Sequence, residues 1–366
     1  MTDEFYMQRA LRLARRGERW VSPNPMVGAV IVKGDRIIGE GYHEQFGGPH
    51  AEINALRQAQ ESVQGTAIYV TLEPCSHYGK TPPCVEALID RQPARVVIGA
   101  TDPNPLVAGR GIAALRRSGI DVTLGVMEQA CREMNAGFFK FITTGIPYVT
   151  LKFAQTIDGR IASVTGHSRW ISSPASRTFA HRLRSTHDAI LVGAGTVIAD
   201  DPDLTVRHVK GRNPIRIVVD SHLRLPLGAK ILQDQESART IVATTGQAAP
   251  EKMLQLQEQG IETLLVDEFV GEADRGQVNL PKLFRELGKK QIASVLVEGG
   301  SAIITSLLKE KLADRLVIIV APKILGRGIE AVADLGNQTM DEATRILFRK
   351  VYRRGEDIII DAIPAN

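Results

Sequence analysis

The 366-residue chain has only three cysteines and 5% aromatic residues, and it lacks both a long apolar run and a marked excess of either charge. Three cysteines cannot build a disulfide framework, which leaves roles as thiols, ligands or nucleophiles. No stretch approaches the roughly 20 apolar residues of a membrane-spanning helix. The opening MTDEFYMQRALRLARRG alternates charged and apolar positions and has no secretory apolar block. A cytoplasmic protein without a membrane partner is expected. Lys and Arg total 45 against 41 Asp and Glu, for a net charge of +4. That balance, with few aromatics to stack on bases, argues against a nucleic-acid partner.

What is present suits a two-domain α/β protein. The length exceeds that of most single cores. Helical spacing over 3–17 is followed by apolar runs MVGAVIV and RIIGEGY, a helix in PHAEINALRQA, a strand TAIYVTL, a helix VEALIDR and strands ARVVIGA and DVTLG. A further helix is expected over MEQACREMNAGFF, with Cys131 as a packing residue. Thr143, Thr144, Gly145 and Pro147 punctuate the pattern and place a boundary between domains 1–144 and 145–366. Beyond it, YVTLKFA, DAILVG, IRIVVD, TIVATT, IETLLV, SVLVEGG and RLVIIVAP read as strands of a mostly parallel sheet, separated by helices such as SPASRTFAHRLRS and SAIITSLLKEKL.

The first domain carries a chemical signature in two pieces, PHAE at 49–52 and EPCSHYGKTPPC at 73–84. His50, Cys75 and Cys84 would make three ligands to Zn²⁺ and leave its fourth position to water, whose pKa the metal lowers. Glu52, beside the metal but not bound to it, would carry protons between that water, a ring nitrogen and the departing amine. This is the arrangement of zinc-dependent nucleobase deaminases. A structural zinc with His77 as fourth ligand would leave Glu52 without a task. The usual signature has two residues between its cysteines, whereas here there are eight. The inserted SHYGKTPP would present His77 and Lys80 beside the substrate, where a lysine suits a phosphate; the alternative is a solvated loop.

PHAE, EPCSHYGKTPPC and the upstream SPNPMVGAVIV closely resemble the deaminase domain of the bifunctional riboflavin-biosynthesis deaminase/reductase family. YVTLKFAQTIDGRIA, SRWISSPASR, DAILVGAGTVIADDPDLTVR and VLVEGGSAI resemble the successive motifs of its reductase domain, so the likeness runs through the chain. It implies a cytidine-deaminase-like layered α/β domain followed by a dihydrofolate-reductase-like α/β domain. The implied reactions are zinc-dependent hydrolytic deamination of diaminohydroxyphosphoribosylaminopyrimidine and NADPH-dependent reduction of the ribosyl chain of the product to ribityl.

By the same resemblance Ala154, Trp170, Thr196, Asp200, Ser221 and the segment Gly300, Ser301, Ala302, Ile303, Ile304, Thr305 and Ser306 are expected to contact the cofactor, and Ser168, Arg184, Leu204, Arg207 and Glu298 the substrate. Their chemistry agrees. The Gly299-Gly300 turn opens a helix whose N-terminal N–H groups can meet a phosphate, and two arginines suit a phosphorylated sugar. Outside the motifs, Trp170 would read as a core aromatic and Arg184 as part of a solvated helix face. GAGTVIAD is not a dinucleotide fingerprint, because Ile198 occupies the place of its third small residue. Asp200 and Lys152 both remain open as the proton source in the reduction, and a homo-oligomer remains open.

Two other classes compete. A tRNA or other nucleic-acid base deaminase would need a basic groove with exposed aromatics, and a non-catalytic nucleotide-binding protein would have no use for Glu52.

Overall fold

In the computed structural model, which describes residues 1–78, 82–105, 107–267 and 276–365, the chain separates into two units, Met1–Gly145 and Ile146–Asn366. The first contains α1 (Asp3–Ala14), β1 (Gly28–Lys33), β2 (Arg36–Tyr42), α2 (Ala51–Gln58), β3 (Ala67–Leu72), α3 (Cys84–Arg91), β4 (Arg95–Ala100), α4 (Arg110–Arg117), β5 (Asp121–Leu124), α5 (Glu128–Met134) and α6 (Ala136–Thr144). The sheet order is β2-β1-β3-β4-β5. Pairing is antiparallel from β2 through β1 to β3 and parallel from β3 through β4 to β5.

Alternation along the strands explains the layering. Ala29, Ile31, Ile68, Val70, Val96 and Ile98 pack with Ala51 and Ala55 of α2, Val85 and Leu88 of α3, and Ile112 and Leu115 of α4. The intervening Val30, Val32, Tyr69 and Val97 pack with Tyr6, Met7, Leu11 and Cys131 on the other side. Successive side chains point to opposite faces of a strand, so runs apolar at every position fit a sheet covered on both. The helix expected over MEQACREMNAGFF is instead two. Asn135, buried between α5 and α6, accepts from the Met26 N–H at 2.8 Å and donates to the Met26 carbonyl at 2.8 Å. Its amide thus pairs with an otherwise separate segment and breaks the helix where it does so.

The second unit contains β6 (Tyr148–Thr156), β7 (Arg160–Ser163), α7 (Pro174–Thr186), β8 (Ala189–Gly193), α8 (Ala194–Asp200), β9 (Ile215–Val219), β10 (Thr240–Thr244), α9 (Pro250–Glu258), β11 (Glu262–Leu265), α10 (Leu280–Lys289), β12 (Ser294–Val297), α11 (Ser301–Lys309), β13 (Arg315–Ala321), β14 (Gly328–Glu330), β15 (Ile346–Arg354) and β16 (Asp357–Pro364). Nine strands lie in the order β11-β10-β9-β8-β12-β6-β13-β16-β15. They are parallel from β11 to β13, while β16 and β15 extend the sheet antiparallel.

Helices cover both faces. Leu283, Phe284 and Leu287 of α10 and Ile304 and Leu307 of α11 meet Leu151, Leu191, Ile217 and Val297. Leu256 of α9 and the loop residues Leu223, Leu225 and Ile231 meet Ile190, Val192, Val218 and Val242. Leu183 of α7 packs with Leu296, Val317 and Ile359. Ligands of such sheets bind at the carboxyl ends of parallel strands, and here β8, β9 and β12 run directly into Gly193, Ser221 and Gly299. Among the described residues, no helix is long and apolar enough to cross a membrane.

Candidate active sites

Three elements bring the first cluster together. His50 is the residue capping the start of α2, Cys75 follows β3, and Cys84 is the first residue of α3. Their ligand atoms all lie within 4.8 Å of one another: Cys75 Sγ is 3.5 Å and Cys84 Sγ 3.3 Å from His50 Nδ1. The Cys84 backbone N–H, at the helix start, donates to Cys75 Sγ at 3.3 Å. The hydrogen bond from the Cys84 thiol, together with those from His50 and this N–H, brings the Cys75 pKa down to about 4 despite burial. Donating to Cys75 and burial both push the Cys84 thiol up. A divalent cation would displace that shared proton. One imidazole and two thiols at this spacing fit zinc with one coordination position left over.

Glu52 is buried in the first turn of α2. Burial, with the negative Cys75 nearby, pushes its carboxyl up to about 7. His43, unremarked in the sequence, packs edge-on against the His50 ring at 5.3 Å between centroids; its Nδ1 lies 3.1 Å from the Pro49 carbonyl and its Nε2 3.2 Å from Asn24 Nδ2. SPNP contained that asparagine, but nothing local linked it to His43, 19 residues away.

Glu73 was missed as well. Its buried carboxylate accepts N–H groups from Asp102 (3.3 Å), Gly109 (3.0 Å), Gly111 (3.0 Å) and Ile112 (3.3 Å), tying the residue before Pro74-Cys75 to the start of α4. Gly111 allows this approach, since a Cβ there would lie 2.3 Å from the Pro74 carbonyl oxygen. His77 is exposed and does not join the ligand cluster; its electrostatic neighbour is Asp102, whose pKa burial raises to about 6. Lys80 lies outside the described residues.

The second unit holds a cavity of about 560 Å³ lined by Ala154, Ser168, Arg184, Thr196, Asp200, Leu204, Glu298, Gly300, Ser301, Ala302 and Ile303. These residues come from five stretches of sequence between Ala154 and Ile303. Leu204 contributes from a left-handed backbone (φ 58°), a conformation that costs a non-glycine residue about 1–2 kcal/mol. An adjoining cavity of about 630 Å³ is lined by Ser221, Thr305 and Ser306 and shares Gly193, Gly195, Ala302 and Ile303 with the first. Trp170 lies instead beside a smaller cavity that includes Ser168. The ring is 63% exposed, so it is no core aromatic, and the Arg177 guanidinium stacks on it at 4.4 Å.

Two expected contacts are placed differently. Ile304 turns its side chain into the core and donates its N–H to the Gly300 carbonyl at 3.3 Å, so the helix leaves free the N–H groups of Ser301, Ala302 and Ile303 instead. Arg184 is largely enclosed, its side chain 12% exposed, rather than on a solvated face. Its Nε and Nη2 bind Glu298 at 2.7 and 3.0 Å and its Nη1 donates to the Thr205 carbonyl at 3.3 Å, so its fork holds a carboxylate of the protein. Lys152 Nζ approaches the same carboxylate at 3.3 Å. Burial would raise the Glu298 pKa, but Arg184 and then Lys152 outweigh it and hold the carboxyl well below the usual range. Arg207 is exposed, lines neither large cavity, and bonds Asp203 at 2.8 Å.

A phosphorylated dinucleotide suits these paired cavities. Gly193 and Gly195 face open space, for a Cβ on either would meet no atom within 4 Å. Gly300 N donates to Thr196 Oγ1 at 3.2 Å, which fixes the turn before α11.

Comparison with known proteins matches both parts of the chain. The family model described as the RibD C-terminal domain matches residues 147–360. The chain belongs to the RibD family. The model described as the cytidine and deoxycytidylate deaminase zinc-binding region matches residues 1–100. The riboflavin biosynthesis protein RibD of Aquifex aeolicus is 46% identical over 98% of this chain and 97% of its own length, and that of Escherichia coli is 42% identical over the whole of both. Among solved structures, Acinetobacter baumannii RibD has a TM-score of 0.88 at 40% identity, covering 100% of this chain and 99% of that one. A Thermotoga maritima diaminohydroxyphosphoribosylaminopyrimidine deaminase/5-amino-6-(5-phosphoribosylamino)uracil reductase has 0.84 at 35%, covering 99% of each. The RibD family pairs a cytidine-deaminase-like domain with a reductase domain, the fold class expected from the sequence.

Proposed function

We propose that residues 1–144 carry the deaminase activity, with His50, Cys75 and Cys84 as zinc ligands and Glu52 as the proton carrier, and that residues 145–366 carry the reductase. As a RibD-family member, the chain is a bifunctional enzyme of riboflavin biosynthesis, a deaminase using zinc and a reductase using NADPH. The observation carrying the assignment is the convergence of one imidazole and two thiols beside a buried glutamate whose carboxyl burial raises to about 7.

Bound zinc supplies a nucleophile from water at neutral pH. Glu52 takes the proton released in that step and gives it to the pyrimidine ring nitrogen, then takes the second proton from the hydroxyl added to the ring carbon and delivers it to the departing amine as the carbonyl forms. Its burial keeps the carboxyl near the balance between both forms. In the reductase, the free N–H groups at the start of α11 bind cofactor phosphate, while Ser168, Leu204 and Glu298 bound the substrate and the exposed Arg207, outside the cavity wall, meets its phosphate. Arg184 and Lys152 keep Glu298 ionised, so it acts as an acceptor for ribose or pyrimidine N–H and O–H groups. A cytoplasmic location is supported by the three free cysteines and by the absence of a membrane-length apolar helix among the described residues.

The test separates the two reactions. Glu52→Gln protein should retain zinc, release ammonia at least about a hundredfold more slowly, and oxidise NADPH at the wild-type rate when given the already deaminated ribosylamino-uracil phosphate. Loss of both activities in a folded variant would reject the two-site assignment.

A further inference from the structure

The stretch 204–207, which carries Leu204 and Arg207, lies in no helix or strand. Its backbone polar groups still need partners wherever water does not reach them. Three side chains supply them. Asn213 Oδ1 accepts the Val206 N–H at 2.8 Å, Arg184 Nη1 donates to the Thr205 carbonyl at 3.3 Å, and His181 Nδ1 accepts the Arg207 N–H at 3.1 Å. His181 and Arg184 stand three residues apart on α7, so one face of that helix offers an acceptor and a donor in successive turns. For this stretch the helix takes the place of a neighbouring strand.

His181 suits the accepting role. An amide N–H can only donate, so Nδ1 carries a lone pair and the ring proton sits on Nε2. The ring is buried and stands edge-on to His208 at 4.4 Å between centroids. Burial, then Arg184, His208 and Arg207, bring its pKa down to about 4, so the ring is neutral and Nδ1 is available at neutral pH. The guanidinium of Arg207 is fixed separately. Its Nη1 bonds Asp203 Oδ2 at 2.8 Å, Thr205 Oγ1 donates to the same oxygen, and Nη1 of the buried Arg216 lies 3.7 Å from Asp203 Oδ1. Among the described residues, Nε and Nη2 of Arg207 make no hydrogen bond and remain for a phosphate.

Resting on the reading of Arg207 as the contact to the substrate phosphate, we propose that His181 is a positioning residue of the reductase: by holding the Arg207 backbone N–H, it sets where that guanidinium meets the phosphate. His181 lines neither large cavity, so it acts on substrate binding through Arg207 and takes no part in hydride transfer.

Steady-state NADPH oxidation by the full chain, on the ribosylamino-uracil phosphate and on its dephosphorylated counterpart, isolates this role. His181→Ala should raise KM for the phosphorylated substrate about threefold to tenfold, the effect of losing one hydrogen bond. It should leave kcat, and KM for the dephosphorylated compound, unchanged. His181→Asn, whose Oδ1 stands where Nδ1 does, should restore KM, whereas His181→Gln, whose amide reaches the place of Nε2, should not. An unchanged KM in His181→Ala, equal rises on both substrates, or His181→Asn no better than His181→Ala would each overturn the positioning role. Should replacement of this buried ring prevent folding, ¹⁵N NMR of the wild type decides: the Nε2–H tautomer is expected at neutral pH, and a proton on Nδ1 would overturn the proposal. Arg207→Ala in the same assay separates the two layers. A phosphate-selective rise there with none in His181→Ala overturns the positioning role alone, and no selective rise in Arg207→Ala overturns the reading of Arg207 and the proposal together.

Discussion

Arg184 and Glu298, 114 residues apart, meet fork to carboxylate at 2.7 and 3.0 Å in the wall of the reductase cavity. The largely enclosed Arg184 guanidinium is thereby matched to a residue of the protein, whereas Arg207 is exposed and pairs with Asp203 at 2.8 Å.

The two arginines should consequently behave differently on replacement. Arg184→Ala strands Glu298 with Lys152 alone and should cost about 3–5 kcal/mol of stability, as removal of one partner of a buried ion pair does. Arg207→Ala should leave the melting temperature nearly unchanged and raise KM for the phosphorylated uracil. Thermal denaturation of both variants beside steady-state kinetics of Arg207→Ala checks this; equal melting temperatures would contradict it.

Cys84→Ser should lose zinc and ammonia release together, because a serine hydroxyl is a far poorer ligand than a thiolate. Metal analysis of the purified variant, with NADPH oxidation on the deaminated substrate as the control for folding, reads the outcome. Full zinc content would reject Cys84 as a ligand.

Asn135→Ala removes both hydrogen bonds to Met26 and leaves that backbone without its partner. A loss of about 1–3 kcal/mol is expected, measured by urea denaturation followed through ammonia release. A smaller loss would mean that water replaces the amide.

This same asparagine shows what the sequence could and could not say. The strands of the second unit's sheet were legible because both faces are covered, so the AILV of DAILVG and the VLV of VLVEGG are apolar at every position. The β15–β16 hairpin escaped because β15 is a sheet edge carrying Arg349, Lys350, Arg353 and Arg354 among its apolar residues, and only the turn at Gly355 (φ 61°) marked it. PHAE and EPC…C were readable as chemistry because ligands are constrained by type. Glu73, His43 and the Arg184–Glu298 pair were not, since each acts through partners far away in sequence.

His187 gives the second unit a pH dependence. Burial lowers its pKa to about 4, while its ring bonds the Leu183 carbonyl at 2.7 Å and Thr150 Oγ1 at 3.0 Å. The unfolded chain binds a proton near the ordinary value of 6.5 and the folded one does not, so stability is full above about 6.5 and falls as pH drops towards 4. Urea midpoints taken between pH 7 and 4.5 should decline, and His187→Gln should make the decline shallower even though its own midpoint is lower throughout. An identical slope in the variant would exclude His187 as a source.

The clasp made by Glu73 fixes the upstream cysteine to regular structure, and the start of α3 fixes the downstream one. The four N–H groups of the Glu73 clasp all come from outside the residues between the cysteines. The span from Ser76 to Pro82 is therefore an exchangeable part, whose length and composition can drift or be engineered without moving either sulfur. A family of deaminases could change the substrate it accepts by rewriting this loop alone, and loop grafts that keep Glu73, Pro74 and Cys75 at one end and Pro83 and Cys84 at the other should still bind zinc.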